Sequence, residues 1–164
     1  GSASGPAVIP ESFEHRVGMF GLCAVVLAED GLLWNMRILS DGPLGRKYGY
    51  SDEASAAAPA KIAEVITLID TRLIRQAERG SRYLVGDSLT AADIYWATMS
   101  MCVMATPPEI MPVTKRNKGM LELFAANSKM PGIAKVLSKR IEDHHRHILT
   151  TYCETPAVLG GDLV

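Results

Sequence analysis

The chain has 164 residues, 48% of them apolar, and a formal net charge of −1 at pH 7. This length suffices for one domain with its own core, and the apolar fraction excludes an intrinsically disordered chain. The near-neutral charge gives no electrostatic basis for a nucleic acid or an anionic membrane as the main partner, so we expect neither.

The three cysteines, Cys23, Cys102 and Cys153, are far apart and form no C-x-x-C pair. We therefore expect reduced thiols and a cytoplasmic protein rather than a disulfide framework or a thiolate metal site. No secretory signal is visible, and the apolar run 22–28 is too short to span a bilayer. Gly1 and Ser2 resemble a pair left by tag removal, so we divide the chain into a remnant or linker (1–9), a domain (10–153) and a tail (154–164).

Helical periodicity explains most of the chain, no strand pattern is found, and the fold class predicted is all-α, with about five helices. The first helical region begins near Ser12, and Gly31 bends or ends it. Its apolar residues recur at spacings of three and four: Phe13, Val17, Phe20, Ala24 and Leu27. Asp41-Gly42-Pro43 then predicts a turn, followed by a long exposed loop through residues 45–50.

The second helix is predicted from about Pro59 to Arg79, where a proline suits the first turn and Gly80 suits the end. Its apolar stripe consists of Ile62, Val65, Ile66, Ile69 and Leu73. The third helix, from Thr90 to about Met104, is apolar nearly all round, which is typical of a helix at the centre of a domain. A shorter helix is expected over 118–126, and Pro131 opens the last long helix.

The start of the third helix carries the most specific motif in the chain. Thr90 and Asp93 are spaced as a capping box, in which the Thr90 hydroxyl accepts from the Asp93 N–H and the Asp93 carboxylate accepts from the Thr90 N–H. Leu89 and Ile94 flank them as a hydrophobic staple. The box follows Leu84-Val85-Gly86-Asp87 directly in the sequence.

This combination, opening an apolar helix in an all-helical chain, resembles the C-terminal domain of the glutathione transferase family. The stretches Arg16-Val17-Gly18-Met19-Phe20-Gly21-Leu22 and Glu29-Asp30-Gly31-Leu32-Leu33-Trp34-Asn35-Met36-Arg37 look like the first helix of that domain. The resemblance covers roughly residues 10–153 and implies a glutathione transferase C-terminal-like helical bundle.

The resemblance also implies a division of labour between two domains. In such proteins a thioredoxin-like domain holds glutathione and carries the residue that stabilises its thiolate, while the helical domain forms most of the wall for the electrophilic co-substrate. This chain shows no βαβ pattern, so no catalytic residue is assigned, no cofactor is expected on this chain alone, and glutathione is implied only for the parent protein. The hydrophobic site implied by analogy uses the first and third helices: Phe20, Cys23, Leu27, Met99, Cys102 and Val103.

Two other clusters of titratable residues are weaker candidates for a functional site. The run Asp143-His144-His145-Arg146-His147 places two or three potential ligands on one helix face, but a closed metal site needs about four, so we expect a solvated helix end and no metal. A Glu142–Arg146 pair is expected there. The basic run 114–118 is short and is expected to be a solvated loop.

Three functions remain open from the sequence. The first is the co-substrate-side domain of a glutathione transferase-like enzyme, inactive or nearly so by itself. The second is a non-catalytic assembly module of the same fold, and the third is a free-standing binder of an apolar small molecule. Because the face that would meet a thioredoxin-like domain should be apolar, we also expect a homodimer or higher oligomer, with the first two helices as the contact.

Overall fold

The computed structural model describes residues 7–158, and within this range the chain forms helices and turns but no strand. The remnant and tail expected from the sequence extend beyond it, so residues 1–6 and 159–164 lie outside the described part. The all-α prediction is confirmed, and the five described helices of nine or more residues match the predicted number. The helices are α1 Phe13–Leu27, α2 Leu32–Arg37, α3 Pro43–Lys47, α4 Asp52–Ala77, α5 Ala91–Met99, α6 Lys118–Asn127, α7 Pro131–Ala134 and α8 Lys139–Tyr152.

Helix α1 begins as predicted at Ser12, whose Oγ accepts from the backbone N–H of His15. The side chains that it buries are Met19, Leu22 and Val26. Of the apolar residues singled out by their spacing, Leu27 is half-buried and the others are on the outside, with exposures of 75% for Phe13, 58% for Val17 and 57% for Phe20. A helix that is apolar nearly all round has two candidate inner faces, and contact with α5 selects the Met19 face.

The first helical region ends before Gly31 rather than bending there. A Cβ on Gly31 would lie 2.6 Å from the carbonyl oxygen of Val25, so the turn between α1 and α2 requires a glycine. By length and composition the stretch Phe13–Arg37 would suffice to cross a membrane. In this fold the turn divides it into two helices, and α1, with 15 residues, is shorter than the roughly 20 residues that a bilayer requires.

The segment predicted as a long exposed loop contains the short helix α3, which Pro43 opens. Tyr48 follows it and is held from two sides. The Trp34 ring meets the Tyr48 ring edge-on at 5.0 Å, and the Arg37 guanidinium lies 4.2 Å from the centre of the Tyr48 ring. These contacts hold Tyr48 and the segment around it against α2.

Helix α4 starts at Asp52, seven residues before the predicted Pro59, and Ser51 caps it by accepting from the N–H of Ala54. The alanine-rich stretch before Pro59 has a strong helix propensity, which outweighs the proline within the helix. The predicted stripe from Ile62 to Leu73 is buried throughout. This stripe forms the middle of the main core.

The central third helix is shorter than predicted, because α5 ends at Met99 and a 3-10 turn continues from Ser100 to Val103. Helix α5 packs between α1 and α8, and Trp96 and Ala97 are fully buried there. The last predicted helix is also divided: Pro131 opens only the four-residue α7, and α8 begins after Ser138. Ser138 accepts from the N–H of Ile141 and donates to Asp70 Oδ1 at 2.6 Å, which fixes the start of α8 beside α4.

Candidate functional site

The six residues predicted for a hydrophobic site do not enclose a cavity together. Phe20 is exposed, Val103 is fully buried, and Cys23, Leu27 and Met99 are half-buried and pack against the main core. Phe20 therefore points to solvent rather than into the core of this domain. Four of the six share the main core, because Val103 belongs to it and Cys23, Leu27 and Met99 pack against it.

The outer side of α1 exposes three large apolar side chains. Phe13, Val17 and Phe20, which we call the α1 face, lie at spacings of four and three and so share one side of the helix. Gly18, Gly21 and Val25 continue into a shallow groove between α1 and the exposed Leu68 of α4. Contiguous exposed apolar surface of this kind is typical of a contact with another domain, another chain or a ligand.

Burial governs the chemistry of Cys102 and Cys23, the two cysteines predicted for the site. It raises the pKa of the Cys102 thiol to about 11, and the guanidinium of Arg37 opposes this only in part. Burial also raises the pKa of Cys23, with a further contribution from the negative charge of Asp93. Because a nucleophilic cysteine needs a lowered pKa, both side chains suit a protonated, apolar wall better than a nucleophile.

The predicted capping box at the start of α5 makes more hydrogen bonds than the spacing of Thr90 and Asp93 alone predicts. Asp93 is fully buried, and its Oδ2 accepts from the Thr90 N–H at 2.9 Å and from the Thr90 hydroxyl at 2.8 Å. Its Oδ1 accepts from the Leu84 N–H at 2.8 Å and lies 3.0 Å from Nε2 of His144 in α8. One carboxylate therefore holds the start of α5, the preceding turn and the last helix together.

The turn before the cap is fixed by a second set of hydrogen bonds. The amide of Gln76 donates to the carbonyl oxygens of Tyr83 and Gly86, and the Ser81 hydroxyl donates to the same Gly86 oxygen. Gly86 has a φ of 64°, a conformation that favours glycine. The Leu-Val-Gly-Asp motif is thus a backbone turn anchored to the end of α4, and its role is structural. Leu89 and Ile94, the predicted staple, both belong to the second apolar cluster beside α8.

The histidine run in α8 is not the solvated helix end expected from the sequence. His144 and His145 are buried, and His145 Nδ1 lies 3.0 Å from the Ser100 hydroxyl. Burial, with a smaller contribution from His144, lowers the pKa of His145 to about 4. Arg146 pairs with Glu109 at 3.2 Å rather than with the expected Glu142.

These histidines have separate partners, which bears on metal binding and catalysis. His144 meets Asp93, His145 meets Ser100, and His147 lies 3.4 Å from Arg82 Nη1. Among residues 7–158 no group of three or more His, Cys, Asp or Glu side chains is placed to hold a metal ion. Ser100 has no exposed surface, so a substrate has no access to its hydroxyl.

Comparison with protein families decides the assignment. The family described as glutathione S-transferase, C-terminal domain, matches residues 44–140, more than half of the chain. This chain belongs to that family. No curated protein and no solved structure matches it. The predicted resemblance is confirmed at the level of family and fold.

The match to the glutathione S-transferase C-terminal domain runs from α3 to the start of α8. It includes the Asp93 cap and the buried α4 stripe. The α1 face lies before residue 44, outside the match. Family membership therefore accounts for the structural centre of the chain, while the exposed face requires its own interpretation.

Proposed function

We propose that this chain is the helical, co-substrate-side domain of a glutathione transferase-like protein, and that it needs a thioredoxin-like domain to act. Membership of the glutathione S-transferase C-terminal domain family supports the general assignment. The α1 face supports the more specific co-substrate role, because Phe13, Val17 and Phe20 are each more than half exposed. A thioredoxin-like domain and an apolar electrophile would together cover it.

In this proposal glutathione is bound by the thioredoxin-like domain, and the helical domain supplies apolar surface to the electrophile. Phe20 offers an accessible ring, and Cys23, Leu27 and Met99 are half-buried side chains of α1 and α5 that pack against the main core. Methionine and neutral thiol side chains are polarizable and suit varied apolar molecules. Val103 and Cys102 would not touch the electrophile but would support the side chains that do, because Val103 has no exposed surface and Cys102 is largely enclosed.

The same reasoning predicts little or no transferase activity for the chain alone. Catalysis of this type requires a thiolate whose pKa is lowered and an electrophile held next to it. The cysteines of the chain have raised pKa values, and they offer no substitute for an activated glutathione thiolate. Glutathione conjugation by the isolated chain at a rate well above buffer would contradict this.

The experiment that tests the proposal uses a protein in which a thioredoxin-like domain precedes this chain. Phe20→Ser should raise the KM for an apolar electrophile about tenfold or more, because burying a large apolar side chain stabilises by roughly 1.5–3 kcal/mol. The KM for glutathione should not change. Leu123→Ser is the matched control, since Leu123 in α6 is as exposed as Phe20, at 57% each. Equal electrophile kinetics in both variants and the wild type would reject the α1 face as a co-substrate wall.

A non-catalytic assembly module is the second candidate, and the outer side of α4 favours it. The small side chains Ala60, Ala63 and Thr67 line a shallow depression there, next to the exposed Leu68. Small residues let two helices approach closely, so a second copy or a partner helix could pack on this side. A defined protein partner whose binding is lost in Leu68→Glu, together with the absence of any thioredoxin-like half, would favour assembly over catalysis.

A further inference from the structure

A groove between the C-terminal half of α4 and the first turns of α8 has no role in the function proposed above. Its volume is about 360 Å³, within the range of small-molecule sites. We call it the α4–α8 groove. It contains no residue of α1, and it is lined by Leu73, Ala77, Ser81, Arg82, Arg140, Asp143, His144 and His147.

The floor of the groove is apolar and short. Leu73 and Ala77 are one helical turn apart on α4, which gives a strip ~6 Å long. His144 closes the back, where its Nε2 is engaged by Asp93. A strip of this length matches an alkyl chain of about five carbons and is too short for a long-chain lipid.

The two ends of the groove differ in charge balance. Arg140 lies at the end where α8 meets Asp70, which is 3.6 Å away. Asp143, also at this end, forms an ion pair with Lys139 at 2.6 Å. The cations and carboxylates here largely offset one another.

Arg82 lies at the other end of the groove, and no carboxylate among the described residues pairs with its positive charge. Within residues 7–158 no carboxylate lies within ion-pair distance of Arg82; its recorded contact is Nη1 to Nε2 of His147 at 3.4 Å. Burial, and secondly the positive charge of Arg82, lower the pKa of His147, so this imidazole is neutral at pH 7. A guanidinium beside a neutral imidazole at the edge of an apolar strip is suited to an anionic group.

We propose that the α4–α8 groove binds a short-chain alkyl monocarboxylate, with the carboxylate on Arg82 and the chain along Leu73 and Ala77. The guanidinium of Arg82 donates to the carboxylate, while Nε2 of the neutral His147 accepts from Arg82 Nη1 and helps to orient the guanidinium. The alkyl chain points toward Arg140, whose aliphatic stem extends the apolar surface. At that end Arg140 is already paired with Asp70, and Lys139 with Asp143, so a second carboxylate would lose hydration without gaining a free cation, which disfavours a dicarboxylate.

Isothermal titration calorimetry with hexanoate tests this proposal. Hexanoate should bind the wild-type chain, while acetate, which lacks the chain, and hexylammonium, which has the opposite charge, should bind at least about tenfold more weakly. Adipate, with a carboxylate at each end, should also bind more weakly than hexanoate. Hexanoate that fails to bind, or that binds no better than hexylammonium or adipate, would overturn the assignment.

Three variants locate the site. Arg82→Ala should weaken hexanoate binding about tenfold or more, because it removes a charge-assisted hydrogen bond. Arg75→Ala is the matched control, because Arg75 is an exposed arginine of α4 that does not line the groove, and it should leave binding unchanged. Ala77→Phe should fill the apolar floor of the groove and so prevent hexanoate from binding. Ala77 and Arg82 are exposed, so an unchanged melting temperature shows that the variants fold. Binding that survives both Arg82→Ala and Ala77→Phe would place hexanoate elsewhere and reject the proposal.

Discussion

Asp93 and His144 are 51 residues apart in the chain, yet Asp93 Oδ1 lies 3.0 Å from His144 Nε2 in the interior of the domain. An ionised carboxylate can only accept, so the contact requires the proton on Nε2. Through this hydrogen bond the residue that starts the central helix also fixes the last helix. The Asp93 cap is therefore a tertiary element as well as a local one.

Removing the charge of Asp93 should destabilise the whole domain. Asp93→Asn replaces one acceptor oxygen with an NH2 group, which can only donate, although all four groups around the carboxylate are donors themselves. We expect the free energy of unfolding to fall by about 3 kcal/mol. Asp87→Asn is the control, because Asp87 lies in the same segment but is exposed. Urea unfolding followed by circular dichroism measures both. A loss in Asp93→Asn no larger than in Asp87→Asn would show that the network contributes little.

The burial of His145 predicts a pH dependence of stability. Its pKa falls from 6.5 to about 4 in the folded state, so below pH 6.5 the unfolded chain takes up a proton that the folded chain does not. The stability present above pH 6.5 is therefore lost as the pH falls toward 4, by about 3 kcal/mol from this group.

Urea unfolding at pH 7.5 and pH 5 tests this for His145. In His145→Gln the difference in unfolding free energy between the two pH values should shrink relative to the wild type. His147→Gln should change it less, because the pKa of His147 is also lowered but its side chain is less buried. An unaltered pH dependence in His145→Gln would contradict the assignment.

The cysteines should differ in reactivity. With a pKa of about 11, Cys102 is almost entirely protonated at pH 8, and its enclosure limits access as well. We expect iodoacetamide to alkylate Cys153 and Cys23 first and Cys102 last, as measured by peptide mass spectrometry. In urea the three rates should converge. Preferential labelling of Cys102 in the folded chain would show that its surroundings are open.

Features of the fold that depend on residues close together in the chain could be predicted from the sequence. The box formed by Thr90 and Asp93 and the stripe from Ile62 to Leu73 are of this kind. Helix α4 nevertheless begins before Pro59, because propensity summed over the alanine-rich stretch outweighs the proline.

The arrangement of the candidate site could not be predicted, for a physical reason. Both sides of α1 are apolar, and only its neighbours in the fold decide that Met19 is buried while Phe20 is exposed. The burial of His144 and His145 likewise depends on Asp93 and Ser100, which are distant in sequence. The Arg82 end of the groove joins a loop to α8, a contact that periodicity does not reveal.

The α1 face predicts self-association of the chain when nothing else covers it. We expect an oligomer in sedimentation analysis, and Val17→Glu should shift it toward the monomer, because a charge buried in an apolar interface is costly. Leu123→Glu, which changes a side chain of similar exposure in α6, should not. A monomer at all concentrations, or equal effects of the two substitutions, would remove the α1 face as the contact.

The central claim is that this domain works together with a thioredoxin-like half. The most direct measurement is the size of the native gene product, by immunoblot of the cells that express it, with an antibody against this domain. The claim predicts a band clearly larger than the 17.7 kDa of this chain. A band at 17.7 kDa would mean that the domain stands alone in the cell, and it would contradict the co-substrate role.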